Sequence, residues 1–366
     1  MDKAMQKINS GDNSNNYQAN NVTVINNVVQ FDEEKAKQIS EYSAKRIIGE
    51  YFSNADELAQ KRMNDFESQF IPRLAKIENA LEIFNDPAFK LVYRKAQIQA
   101  ATTTRESDYS ILSELLIHRY KKQNNKASCI GINGAVDIVE QISDESLVAL
   151  TVITTISIAA VPITGNITEG LNIMNELFKS LLICDLPNNN NDWLDQLDIL
   201  RAIRVSAFGG LKKIKDFYLQ KLDGYFCVGI DKESENYQQA IDLLKPYGLE
   251  SLLIEHELID NHVRLSLSDT AEFDEIIKIQ PNGNKSPLSI EEKECLQKVV
   301  NLYDKTVQKK NLVLNKFYEK FDTYPALKIV HDWWDKIPQG FSITSIGRVL
   351  GHANAQKCYP GFPPLD

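Results

Sequence analysis

The first thirty residues constrain the fold more than any other stretch. Met1 to Gln30 reads MDKAMQKINSGDNSNNYQANNVTVINNVVQ, with eight asparagines between Asn9 and Asn27. Short strand-forming pieces sit among them: Tyr17-Gln18-Ala19, Val22-Thr23-Val24-Ile25 and Val28-Val29. Beyond Asp32 almost everything reads as helix, so this tail has no sheet of its own to join. It is either disordered or paired with copies of itself. Asparagine side chains stack into hydrogen-bonded ladders when identical strands lie in register. Gly11 and the asparagines tolerate the positive φ of tight turns. The valine and isoleucine content and the low net charge favour pairing over disorder. The expectation is a trimeric or tetrameric β-plug at the head of a helical body, built from Asn13, Ser14, Asn16, Gln18, Val22, Val24, Ile25 and Val28. β-Pairing with another protein is the alternative.

The body is large enough for one big or two medium folded domains: 366 residues, 43% of them hydrophobic. A net charge of −9 argues against global attraction to nucleic acid or an anionic membrane. Cys129, Cys184, Cys227, Cys295 and Cys358 are odd in number, far apart and in no CxxC pair. That suits reduced thiols in a cytoplasm better than a disulfide framework. The polar N-terminus has no apolar stretch of the kind a secretory leader needs. Leu147 to Ile163 carries no charge over seventeen residues. It is short for a membrane span and holds Pro162, so a buried core helix is expected, with membrane insertion as the rival.

Helix signals run along most of the chain. A first helix is expected to end near Phe52, and Ser53-Asn54-Ala55-Asp56-Glu57 to cap a second. Phe66, Phe70, Leu74, Ile77, Leu81 and Phe84 would form one apolar stripe, kinked at Pro72. Further helices are expected from Asn85-Asp86-Pro87 onward, over 108–120, 127–142, 147–163, 168–183 and 192–207, a pattern of stacked helices. Gly209-Gly210 breaks it. Tyr225 to Ile230 and Val263 to Leu267 read as short strands. Ser289 caps a helix expected to reach Phe321, and Pro325–Lys336 and Thr344–Lys357 follow. The segments are thus 1–30 for oligomerisation, 31–208 helical, 209–288 mixed α/β, 289–357 helical and an irregular 358–366. The fold class is mainly α, a multi-helix bundle or array with a small α/β portion.

Several pieces resemble a bacterial family named only by locus tags and without an assigned function. They are Gly11-Asp12-Asn13-Ser14-Asn15-Asn16-Tyr17-Gln18-Ala19 near the start, and Ile343-Thr344-Ser345-Ile346-Gly347 followed by His352-Ala353-Asn354 near the end. Leu112 to Arg119 and Asn133-Gly134-Ala135 resemble its middle helices, with Gly134 where an acid is usual. The closing motif is also similar to one in an abortive-infection family, which implies a phage-defence setting.

No pattern names a reaction, and no catalytic, cofactor or metal residues are assigned. Glu255-His256-Glu257 with Asp260 and His262 lacks metal-site spacing and reads as a solvated loop. The glycines before Lys212-Lys213 lack the phosphate-loop spacing. Asp274-Glu275 with Lys278 has the wrong spacing for nuclease chemistry. Two stretches are interaction candidates. One is the basic run with Lys212, Lys213 and Lys215, which would meet phosphates or an acidic partner, although it also reads as a solvated face. The other is Trp333-Trp334, an interface anchor or part of the core. The function these features imply is a non-enzymatic, cytoplasmic homo-oligomer that works by assembly. A membrane-acting effector and a hydrolase or nuclease with a site assembled from distant residues are the alternatives.

Overall fold

The computed structural model describes residues 33–158, 164–188, 191–206, 210–270, 273, 276–279, 285–338 and 340–365. The chain divides into two compact units, Met1–Asp56 and Glu57–Asp366.

The first unit's described part is the opening of helix α1 (Glu33–Ala75). The side chains described there are exposed, apart from half-buried Ser43. The expected break at Ser53 does not occur, and α1 is continuous through it. Serine and asparagine cap a helix only where the backbone leaves helical geometry. With no proline or glycine at 50–56 to force that, each costs a few tenths of a kcal/mol inside a helix.

In the second unit, Phe66, Phe70 and Leu74 are buried on the last turns of α1. The expected stripe does not continue along the same helix. Asn79 takes a left-handed φ of 57°, and Ala80–Asn85 forms a 3-10 turn that leaves Leu81 exposed. Then come α2 (Pro87–Thr102), α3 (Ser107–Lys121), α4 (Lys126–Ile138), α5 (Asp144–Ile158), α6 (Ile167–Leu181) and α7 (Asp192–Ile199). Side-chain caps set several starts: Asp86 accepts Ala88 N–H at 2.9 Å, and Asn166 accepts Glu169 N–H at 2.8 Å. The helix expected over 192–207 stops early. Arg201 turns the chain at φ 59°, and strand β1 (Ile203–Val205) follows.

Next are α8 (Ile214–Lys221), α9 (Asp223–Phe226), β2 (Ile230–Asp231), α10 (Glu235–Leu244), β3 (Leu253–Glu255), β4 (His262–Leu265), β5 (Ile277–Ile279) and β6 (Lys285–Pro287). The strand expected over Tyr225–Ile230 is broken up: Tyr225 and Phe226 end helix α9, Cys227–Gly229 are irregular, and only Ile230 enters β2. Gly229 sits at φ +74°, where a Cβ would meet the Val263 carbonyl oxygen at 2.1 Å, so extended pairing begins only after it. The long helix expected from Ser289 is two: α11 (Ile290–Asn301) and α12 (Val307–Phe321). Ser289 caps the first in a reciprocal capping box with Glu292. α13 (Pro325–Trp334), β7 (Phe341–Ile343) and α14 (Ser345–Cys358) complete the chain.

Three small antiparallel sheets pair β1 with β7, β2 and β3 on either side of β4, and β5 with β6. The fold is mainly α with a minor sheet component. A large core joins the ends of the unit, drawing on α1–α9 and α12–α14. A smaller one, lined by Ile230, Leu244, Val263, Leu265, Leu296 and Val299, belongs to the β2–β4–β3 sheet with α10 and α11. The break between α11 and α12 is where the chain passes from the small core to the large. α14 packs on α3, α4 and α5 together, and α5 is buried from Ser146 to Ile156.

Candidate interaction surface

Within the first unit, α1 carries Ala44, Ile47, Ile48, Tyr51, Phe52 and Ala55 at spacings of three and four. That spacing builds one apolar face. All six side chains are exposed, Tyr51 and Phe52 both at 67%. The opposite face carries Arg46 and Glu50, paired at 3.9 Å one turn apart. Five acids and four bases lie between Glu33 and Asp56, so the segment is almost neutral in a chain of net charge −9. Such a face leaves contiguous apolar surface exposed on this helix. The signal stood in the sequence as spacing, but the expected stop at Ser53 cut the pattern in two. The tail residues Asn13, Ser14, Asn16, Gln18, Val22, Val24, Ile25 and Val28 lie outside the described residues.

The basic run is on the surface. Lys212 Nζ donates to Gln220 Oε1 at 2.6 Å, Lys213 Nζ to the Asp335 carbonyl at 2.8 Å, and Lys215 Nζ lies 5.1 Å from the Tyr318 ring centroid. All three lysines are exposed. Trp333 and Trp334 are not surface anchors: both are buried. Their indole N–H groups donate to the Pro187 carbonyl at 3.0 Å and the Lys212 carbonyl at 2.9 Å. Trp333 also meets Trp193 with ring centroids 5.7 Å apart. These tryptophans fasten α13 to the large core, which removes them from the interaction candidates.

The Glu255–His262 segment is no solvated loop. His256 is buried, with Nε2–H donating to the Cys227 carbonyl at 2.8 Å and Nδ1 accepting Leu258 N–H at 3.1 Å. Burial lowers its pKa to about 4. His262 is buried too, its Nδ1 2.8 Å from the Asp260 carbonyl and its Nε2 3.1 Å from Lys309 Nζ. Glu257 accepts the Ile167 and Thr168 N–H groups at 2.6 and 3.0 Å, and Lys320 at 3.2 Å, anchoring the start of α6. Burial pushes its carboxyl up, but the Thr168, Ile167 and Lys320 hydrogen bonds together outweigh that and hold it below the usual carboxylate range. Among the described residues no group of three or more His, Cys, Asp and Glu is placed to hold a metal. Asp274 and Glu275 lie outside them.

α5 accounts for most of the uncharged 147–163 stretch, buried on all sides within the large core. No helix among the described residues is long and apolar enough to cross a membrane. Residues 159–163 lie outside them. The five cysteines are free thiols, two buried and three half-buried.

The closing motif is structural here. Thr344 Oγ1 accepts Gly347 N–H at 3.2 Å, capping α14, and donates to the Arg201 carbonyl at 2.6 Å. Gly347 touches the Ala202 carbonyl so closely that a Cβ would lie 2.0 Å from its oxygen. His352 Nε2 donates to the Pro363 carbonyl at 2.9 Å, and Asn354 Nδ2 to Thr151 Oγ1 at 2.8 Å.

With this geometry in place, a profile of an uncharacterised protein family matches residues 31–365. The chain belongs to that family. The match begins just before α1 and takes in nearly all of the helical body. No curated protein and no solved structure matches.

Proposed function

We propose that the chain is a homo-oligomeric assembly protein of the bacterial cytoplasm. Its N-terminal tail and the opening of α1 bring several copies together. The observation that carries this reading is the uncovered apolar face at Ala44, Ile47, Ile48, Tyr51, Phe52 and Ala55. In proteins a helix owes most of its stability to packing of its apolar face.

Three features favour a second copy as the cover. The seam Ala44–Ile48–Tyr51–Ala55 alternates four and three residues, the coiled-coil spacing. The near-balance of charge on this segment imposes little repulsion between copies. The strand-prone tail at the same end of the helix adds a second self-pairing element, which so short a coiled coil needs. Holding several helical bodies together raises their effective concentration toward a common target without a new contact per subunit. A phage-defence setting is supported by the similarity of the closing motif to an abortive-infection family.

Light scattering after size exclusion tests this on three proteins: the full chain, the chain lacking residues 1–30, and full-length chain carrying Ile47→Asp with Phe52→Asp. The full chain is expected as a trimer or tetramer and the other two at lower mass, all with the same cooperative melting of the helical body. A monomeric full chain would overturn the reading. Loss of phage protection in the double variant, where the full chain protects, would tie assembly to defence.

A further inference from the structure

Among the described residues two arginines are deeply buried, and the fold satisfies them to different extents. Arg264 is 0% exposed. Its Nη1 donates to the Gly224, Leu265 and Leu267 carbonyls and its Nη2 to the Gly165 carbonyl, and only its Nε is buried without a partner. The Glu257 carboxylate is 4.0 Å away, and the guanidinium carbon lies 5.5 Å from the Tyr225 ring centroid. Arg119, near the end of α3, is 6% exposed, yet its Nε and Nη1 are buried with no hydrogen-bond partner. Among the described residues no carboxylate pairs with it. A guanidinium stays protonated at any working pH, so Arg119 cannot shed its charge as a buried lysine or histidine does. Removing the partner from a buried ion pair is strongly destabilising, and a fold that retains an unpaired one needs something to balance it.

The last turn of α3 is rich in basic residues. Lys121, Lys122 and Arg73 all act as positive charges on the adjacent His118. Burial keeps His118 neutral, with a pKa of about 4. Arg73 is neutralised by Glu114. The end of α3 carries partial negative charge, but helical side chains lean toward the N-terminus and away from those terminal carbonyls.

We propose that Arg119 is the anchor of an anion site inside the helical body, taking the phosphate or carboxylate group of a small ligand. The guanidinium donates from Nε and Nη1 to the oxyanion, and the surrounding positive charge favours it over a neutral ligand. This site does not depend on the assembly reading, because it lies wholly within the second unit.

The test is thermal melting of the full chain in inorganic phosphate, acetate or chloride at matched ionic strength, with Arg119→Met and Arg119→Lys alongside. Phosphate or acetate is expected to raise the melting temperature saturably over chloride, and whichever does so identifies the group recognised. In Arg119→Met the rise should vanish, while melting in chloride stays at or above that of the parent, because no unpaired charge remains. Arg119→Lys, which keeps the charge but loses the planar donors, should show a weaker rise. Equal melting of the parent protein in all three anions overturns the proposal, and so does an undiminished rise in Arg119→Met. If Arg119→Met does not fold, the parent titration and the lysine variant still decide the matter.

Discussion

The Glu257 carboxylate accepts the Ile167 backbone N–H at 2.6 Å, joining the loop between β3 and β4 to the first turn of α6 across ninety residues of sequence. The four leading N–H groups of a helix lack intrahelical partners, and a carboxylate placed there also meets the positive end of the helix dipole. Lys320 on α12 closes the cluster at 3.2 Å, so one side chain ties three elements together.

Glu257→Ala is therefore expected to destabilise the protein by about 2–4 kcal/mol, since it strips partners from two backbone donors, a half-buried lysine and buried Arg264. Glu257→Gln, still an acceptor, should lose less. Denaturant unfolding monitored by circular dichroism measures both. A loss of under about 0.5 kcal/mol in the alanine variant, the range of an ordinary surface change, contradicts the anchoring role.

This anchor shows where the sequence was legible and where it was not. The mainly α class, the capping of α11 by Ser289 and the core placement of Val152 followed from spacing and composition, because those signals are local. The role of Glu257 depends on a partner ninety residues away, and nothing near it in sequence announces a helix start at Ile167. His256 and His262 read as solvated for the same reason: an alternation of charged residues looks exposed until the fold brings Cys227 and Lys309 to it. The apolar face of α1 was visible in its spacing, but the cap signal at Ser53 was given more weight than the periodicity around it. Arg119 carried no signal of its own, since an arginine in the last turn of a helix usually faces solvent and complements the dipole.

Acid should destabilise the fold through two histidines. Burial holds both His118 and His256 near pKa 4 in the folded protein, whereas an unfolded histidine titrates near 6.5. The unfolded chain therefore takes up protons first as pH falls, and stability declines between about 6.5 and 4. Each group contributes at most about 3 kcal/mol above that window, by linkage. For His256 the geometry agrees, because Nδ1 already accepts Leu258 N–H and has no room for a second proton. Denaturation midpoints from pH 8 to pH 4 give the slope, and His118→Leu should flatten part of it. A midpoint unchanged between pH 7 and pH 5 excludes this contribution.

Gly347→Ala tests the closing motif as a packing device. The added methyl would sit 2.0 Å from the Ala202 oxygen, so α14 must move off the β1 end of the large core. Overpacking at a rigid backbone contact costs about 1–3 kcal/mol. The loss should be larger than for Gly49→Ala, since Gly49 has nothing within 4 Å and alanine there improves helix propensity by about 1 kcal/mol. Comparing the two melting temperatures is sufficient. Equal effects at both sites would mean that α14 yields freely at Gly347.

The assembly reading also fixes an orientation. Strand-prone tails meet only if the N-termini of α1 lie at the same end, so the helices of different copies must run parallel and in register. In that arrangement the seam residue Ala44 of one copy faces Ala44 of the next, whereas antiparallel helices crossing at Tyr51 would bring Ala44 toward Leu58. Ala44→Cys should then form a disulfide-linked dimer under mild oxidation, with the linkage located by mass spectrometry of the α1 peptide joined to itself. The five native cysteines supply the background, which the parent protein measures under the same conditions. Antiparallel pairing predicts little Ala44→Cys dimer but efficient linkage between Ala44→Cys and Leu58→Cys in mixed samples, and that pattern would contradict a shared tail plug even if the protein were oligomeric. Disulfide geometry admits only Cα atoms within about 7 Å, so the cross-link reports register rather than mere proximity.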